Sequence, residues 1–383
     1  MTVQTFSVET LTPPPDATAL RNQVRAFITA NIKRDDPRRL VNSWAVPDHD
    51  FTRALGEAGY IGMVLPTEYG GGGRSQTERY VVLEELLAAG APVGLHWIAD
   101  RQTGPLLLKY GTETQRKRYL PGIVQGKIFA CIGLSEPGAG SDLSAVRMRA
   151  DKVPGGWRLN GQKLWTTNAH HAHLMLALVR SERGSERHAG LSQYLIELAT
   201  PGITIRPIID LAGGHDFNEV FFEDVFVDED ALVGTEGQGW AQATAELTLE
   251  RAGPERYISS LGVLLEFIRM AGPAPDAATA SVIGKLTAEL WTLRQMSMSV
   301  LAKLASGEDP ALEATIVKDL GNLYEQEVVR AIQAATPSGF DLMGDSACAK
   351  MLSLLVQVAP SFSLRGGTRE ILRGIVAKGL GLR

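Results

Sequence analysis

The chain has 383 residues, 44% of them apolar and 21% charged. That is enough to bury the cores of two or three domains and too apolar for a disordered or fibrous protein. Lys+Arg at 38 against Asp+Glu at 43 leaves a net charge of −5, which argues against a nucleic acid partner, because phosphate affinity is carried by cationic side chains. Cys131 and Cys348 cannot build a disulfide framework and suggest a reducing compartment. With no basic leader at Met1–Thr12 and no apolar run near the ~18 residues of a membrane span, a cytoplasmic chain without such a span is expected.

In chain order, Pro13-Pro14-Pro15 leads to Asp16, a helix N-cap candidate, and then to Leu20, Val24, Phe27 and Ile28 at helical spacing. Helical pattern continues through Glu84–Leu87, Leu106–Tyr110 and Glu113–Leu120, interrupted by the Tyr69-Gly70-Gly71-Gly72-Gly73 loop. Near Phe129 the period changes. Apolar alternation flanks Asn160-Gly161 between Trp157 and Trp165 and predicts a hairpin there. Leu174–Val179, Tyr194–Leu198, Ile203–Ile208 and Val220–Val227 read as further strands, so about 130–235 is expected to form a small barrel or sandwich. Helical period then returns: about Trp240 to Met270 as one helix, about Ala277 to Ala305, a helix carrying Leu312, Ile316, Leu320, Leu323 and Ile332, and shorter helices near Ala347–Val358 and Thr368–Leu380. Short links between long helices suggest an antiparallel bundle. The chain is thus expected to be an α+β multidomain protein, helical over 1–128, β over 129–236 and helical over 237–383.

Several motifs stand out. Gly133-Leu134-Ser135-Glu136-Pro137-Gly138-Ala139-Gly140-Ser141-Asp142 lets a backbone approach a ligand closely, yet it is neither a Walker loop nor a dinucleotide fingerprint, and an ordinary loop has the same composition. Trp165-Thr166-Thr167 pairs an aromatic face with two hydroxyls, suited to a planar cofactor or simply to a core. His170, His171 and His173 lack metal-site spacing, and no metal is expected. Glu250 and Arg251 fall on a helix with Glu246 one turn earlier. Gly366-Gly367-Thr368 precedes a helix and offers backbone N–H groups to an anion or carbonyl, or is a plain N-terminus capped by Thr368.

In this order and spacing the motifs resemble the acyl-CoA dehydrogenase family over nearly the whole chain, from Gly62–Gly71 and Tyr110–Gln115 through Ser135–Asp142, Asn160–Asn168 and Asn218–Val225 to Gly366–Ile371. The resemblance implies an N-terminal helical domain, a middle β domain, a C-terminal four-helix bundle, and FAD as cofactor. It also implies α,β-dehydrogenation of an acyl-CoA thioester: a carboxylate removes the α proton while the β hydride passes to N5 of the flavin. Ile132, Leu134, Ser135, Gly140, Ser141, Trp165, Thr166, Thr167, Thr368 and Glu370 match flavin contacts. Ser141, Arg251, Gly366 and Gly367 match contacts to the thioester and CoA. Many members carry the base where this chain has Gly366; another branch places it on the first helix of the C-terminal bundle, where Glu250 stands.

The family's Arg…Phe-Gly and Gln…Gly-Gly motifs for the adenosine end are replaced by Arg269-Met270-Ala271-Gly272-Pro273 and Ala334–Gly339. The resemblance therefore admits a homotetramer or an α2β2 heterotetramer, with an electron-transfer flavoprotein as acceptor. Two alternatives stand beside the dehydrogenase: a flavin-poor partner subunit, and a flavin monooxygenase or reductase on the same fold, against which Glu250 weighs.

Overall fold

A computed structural model describes residues 6–9, 16–33, 36–249, 251–336 and 340–382, with backbone only at 245–249. Its helices are α1 (Ala17–Asn31), α2 (His49–Glu57), α3 (Gln76–Ala88), α4 (Gly104–Tyr110), α5 (Glu113–Val124), α6 (Gly239–Leu249), α7 (Leu261–Ala271), α8 (Ala277–Ala305), α9 (Ala311–Ala335), α10 (Ala347–Val358) and α11 (Arg369–Gly379). Its strands are β1 (Ala130–Gly133), β2 (Arg149–Val153), β3 (Gly156–Thr167), β4 (Leu174–Arg180), β5 (Leu191–Glu197), β6 (Ile203–Ile208), β7 (Phe217–Asp228) and β8 (Leu232–Val233). The expected succession of helical, β and helical segments is present. Two compact units form: 1–46, 75–93 and 248–383 in one, 47–74 and 94–247 in the other.

The second unit is built on an eight-stranded sheet ordered β6-β7-β3-β2-β4-β5-β8, with β1 parallel to β4. The Leu174–Val179 segment is apolar throughout because β4 is buried on both faces. Met175, Ala177 and Val179 pack with Trp157, Tyr194 and Phe222, while Leu174 and Leu176 pack against Leu107, Leu120 and Ile123 of α4 and α5. β6 is the sheet edge, largely exposed, and tolerates Pro207 for that reason.

The hairpin expected at Asn160-Gly161 is not there. β3 runs through it as one strand, and the turn lies at Pro154-Gly155, where β2 pairs antiparallel with β3. Asn160-Gly161 instead marks an irregularity in the β3–β7 ladder. The Asn160 side chain accepts the Asp224 N–H at 2.9 Å, and a Cβ at Gly161 would lie 2.8 Å from the Met148 Cα. Pairing with β7 on both sides of the kink carries the strand onward and overrides the local turn preference.

In the first unit, α3 starts in a capping box of Ser75 and Glu78, while Asp276, Ser346 and Thr368 cap α8, α10 and α11. Asp16 occupies the cap position of α1 but makes no side-chain cap bond. The single helix expected over Trp240–Met270 is two helices. Pro254 has no N–H to continue a helix and clashes with the turn before it, so Arg251–Ser260 forms turns before α7 begins. Residues 347–379 are helical and apolar enough, by length and composition alone, to match a membrane span; the stretch is broken at Arg365–Thr368 and packs on α9.

Candidate functional site

In the sheet unit, β1 delivers Ile132 to the edge of the Leu134–Asp142 loop. The loop closes on itself where Glu136 and Ala139 exchange backbone hydrogen bonds about Pro137-Gly138. Gly140 and Ser141 are exposed, and a Cβ at Gly138 or Gly140 would meet nothing within 4 Å. Behind the loop lies a charged pair that sequence reasoning did not single out. Lys163, fully buried, donates to Glu136 Oε1 at 2.8 Å, to the Leu178 carbonyl at 2.6 Å and to the Leu134 carbonyl at 3.2 Å. Burial lowers its pKa to about 8, against the opposing pull of Glu136.

Two residues along β3 the backbone turns sharply. Trp165 has φ +59°, a conformation rare for a bulky side chain, at a shift in the ladder between Lys163 and Thr166. The residue is 56% exposed, and its ring meets Phe217 edge-on with centroids 6.0 Å apart. The Thr166 hydroxyl is buried and has no hydrogen-bond partner among the described residues, the mark of a group left for a ligand or water. Thr167 is half-buried. An exposed aromatic face, an orphaned hydroxyl and an open glycine loop together suit a planar ligand rich in ring heteroatoms.

Asn218 ties this strand end to the histidines. Its Nδ2 donates to the Thr166 carbonyl at 3.1 Å and lies 3.1 Å from His170 Nδ1, while its Oδ1 lies 2.9 Å from His215 Nε2. The His170 and His215 rings stack at 3.9 Å. Burial, then the charges of His171 and His215, lowers the His170 pKa to about 4.

The other sequence candidates lie in the helical unit. Gly366 and Gly367 have φ of +72° and +97°, a left-handed pair that swings the chain into α11. Thr368 caps that helix through the Ile371 N–H. Glu370, exposed in the first turn, has its carboxyl lowered below the usual range by its own backbone N–H and by Thr368. One turn apart on α9, Lys318 donates to the Gly366 carbonyl and Thr315 accepts from Arg251 Nη1 at 3.2 Å. Arg365 is buried with Glu325 at 3.2 Å. Sequence reasoning gave no role to Lys318 and Glu325 of α9 or to Arg365 in the turn before α11. Glu250 lies outside the described residues, and of Glu246 only the backbone in α6 is described. Ile132, Leu134, Ser135, Gly140, Ser141 and Trp165–Thr167 thus belong to the sheet unit, and Arg251, Gly366, Gly367, Thr368 and Glu370 to the helical unit.

Helices, sheet and helices in this order make a three-part α+β architecture, and comparison with known proteins specifies its class. Residues 14–127 match the acyl-CoA dehydrogenase N-terminal domain and residues 131–225 its middle domain. The acyl-CoA dehydrogenase IpdE1 of Mycobacterium tuberculosis is 40% identical over 269 residues, covering 69% of this chain and 68% of that one. IpdE1 of Mycolicibacterium smegmatis is 34% identical over 339 residues, 85% of each chain. Among solved structures, a Tcur3481-Tcur3483 steroid ACAD superposes with a TM-score of 0.87 at 26% identity over 97% of this chain and 98% of that one. The chain belongs to the acyl-CoA dehydrogenase family, a family of flavoprotein oxidoreductase enzymes.

Proposed function

We propose that the protein uses FAD to convert an acyl-CoA thioester to its 2-enoyl-CoA, with Glu250 taking the α proton. The observation that carries the cofactor reading is the strained, exposed Trp165 beside the unpartnered Thr166 hydroxyl. FAD, when bound, supplies the hydride acceptor. Ile132, Leu134, Ser135, Gly140, Ser141, Trp165, Thr166 and Thr167 would hold the isoalloxazine end, with Thr368 and Glu370 as further flavin contacts. The backbone N–H groups of Gly366 and Gly367 are assigned to the thioester oxygen, where negative charge develops as the proton leaves. Arg251 and Ser141 are assigned to the CoA side. Gly366 has no side chain to act as a base, which leaves that role to Glu250.

A second reading is a two-chain assembly in which this chain completes a partner's site. It is favoured by the paired names of two similar structures, the Tcur3481-Tcur3483 enzyme and the ChsE4-ChsE5 complex, the latter at 25% identity and TM-score 0.84. We read the chain as cytoplasmic, with both thiols free and buried, oligomeric as a homotetramer or α2β2 heterotetramer, and passing its electrons to an electron-transfer flavoprotein. Purification of the chain alone tests these readings. A yellow protein with near-equimolar FAD, bleached anaerobically by one member of an acyl-CoA panel that includes steroid side-chain thioesters, supports the first. A colourless protein that gains flavin and activity only with a second chain supports the other. An active monomer in sedimentation overturns the oligomer.

A further inference from the structure

Lys163 spends three donors on three oxygens from two segments: the Leu134 carbonyl and the Glu136 carboxylate in the glycine-rich loop, and the Leu178 carbonyl in β4. Glu136 is occupied too. Besides the ammonium it accepts the Arg147 N–H at 2.7 Å and the Met148 N–H at 3.0 Å. Both side chains are out of water, 0% and 7% exposed. Such a pair is an expensive way to stabilise a sheet, since apolar residues of similar volume often serve stability equally well. What the pair provides is direction: a fixed ammonium points the Leu134–Glu136 backbone at one place on β3. The Leu164 N–H, donating to the Ser135 carbonyl at 2.9 Å, adds a second tether between the same segments. On one side of these tethers stand Leu134 and Ser135, on the other Trp165 and Thr166.

We propose that Lys163 is a positioning residue for the cofactor: its buried ammonium, through Glu136 and Leu134, sets the spacing between the glycine-rich loop and the Trp165–Thr166 strand end that together receive the flavin. The inference rests on the FAD reading above. The side chain touches neither substrate nor cofactor and acts through the segments it holds. Its charge is maintained against burial by the facing carboxylate of Glu136.

The test is FAD titration of apoprotein by flavin fluorescence, with the thermal midpoint of each apoprotein measured alongside. Lys163→Met keeps the chain length and removes the donors. FAD should bind about tenfold or more weakly, because the loop and the strand end are no longer held at the spacing the flavin needs. The double variant Lys163→Met with Glu136→Gln leaves no buried charge unpaired, so its thermal midpoint should recover while its FAD affinity stays weak. A purely structural pair gives the opposite pattern, a lowered midpoint in the single variant with FAD affinity within about twofold of the parent in both; that result overturns the proposal. So does a double variant that regains parental affinity, or failure of both variants to fold, which assigns the pair to the scaffold alone. A parent apoprotein that does not bind FAD refutes the cofactor reading instead.

Discussion

Arg365 and Glu325 form an ion pair, 3.2 Å between Nη1 and Oε2, with side chains 8% and 0% exposed. The guanidinium lies over the Phe362 ring at 3.8 Å and the Trp44 ring at 4.7 Å, and it donates to Ser259 Oγ at 2.8 Å and Asn42 Oδ1 at 3.1 Å. It directly precedes Gly366. The pair, with Lys318 on the Gly366 carbonyl, anchors the turn from which the Gly366 and Gly367 N–H groups are presented.

Removing one partner of such a pair leaves the other charged and buried. Arg365→Met should lower the free energy of unfolding by about 3 kcal/mol. Adding Glu325→Gln should recover much of that loss, because no unpaired charge remains. Chemical denaturation of the parent, the single and the double variants measures both steps. Equal stability of parent and single variant shows that the pair does not hold the turn.

Trp165→Ala removes an exposed aromatic face and keeps a Cβ in the same left-handed conformation. Flavin retention through gel filtration should fall well beyond any change in the thermal midpoint of the apoprotein. Unchanged flavin content with an unchanged flavin spectrum removes Trp165 from the cofactor site.

Glu250→Gln keeps size and loses the proton acceptor. Flavin reduction by the best acyl-CoA in stopped flow should slow by about 10²–10⁴-fold, with FAD content and acyl-CoA binding retained. Native-rate reduction in this variant, together with a dead Glu246→Gln, moves the base one helical turn back.

Acid should expose the histidine cluster. His170 titrates near 4 in the folded chain and near its ordinary 6.5 when unfolded. Between those values the unfolded chain holds a proton that the folded chain does not, so stability falls as pH falls from about 6.5 towards 4. Protonation also costs His170 Nδ1 its place opposite the Asn218 amide nitrogen. His170→Gln should therefore lose less thermal midpoint than the parent between pH 6.5 and 4.5, and the His170 ring resonance should titrate well below 6 in the parent. A His170 ring that titrates at its ordinary value refutes the assignment.

Much of this protein was decided locally, and that much was legible in its sequence. Leu174–Val179 is apolar at every position because both faces of β4 are covered, and Thr368 marks the start of α11 with its own side chain, as Asp16 does not for α1. The order of the glycine-rich, Trp-Thr-Thr and Gly-Gly-Thr motifs pointed to the family. Tertiary structure decided what depends on distant partners. Asn160-Gly161 is a kink because β7 pairs on both sides of it. Trp165 adopts its strained φ because the ladder resumes at Thr166 opposite Asn218. Lys163 meets Glu136 across 27 residues and Arg365 meets Glu325 across 40. The partner of a buried charge is chosen by the packing that excludes water from both, and that packing exists only once the chain has folded.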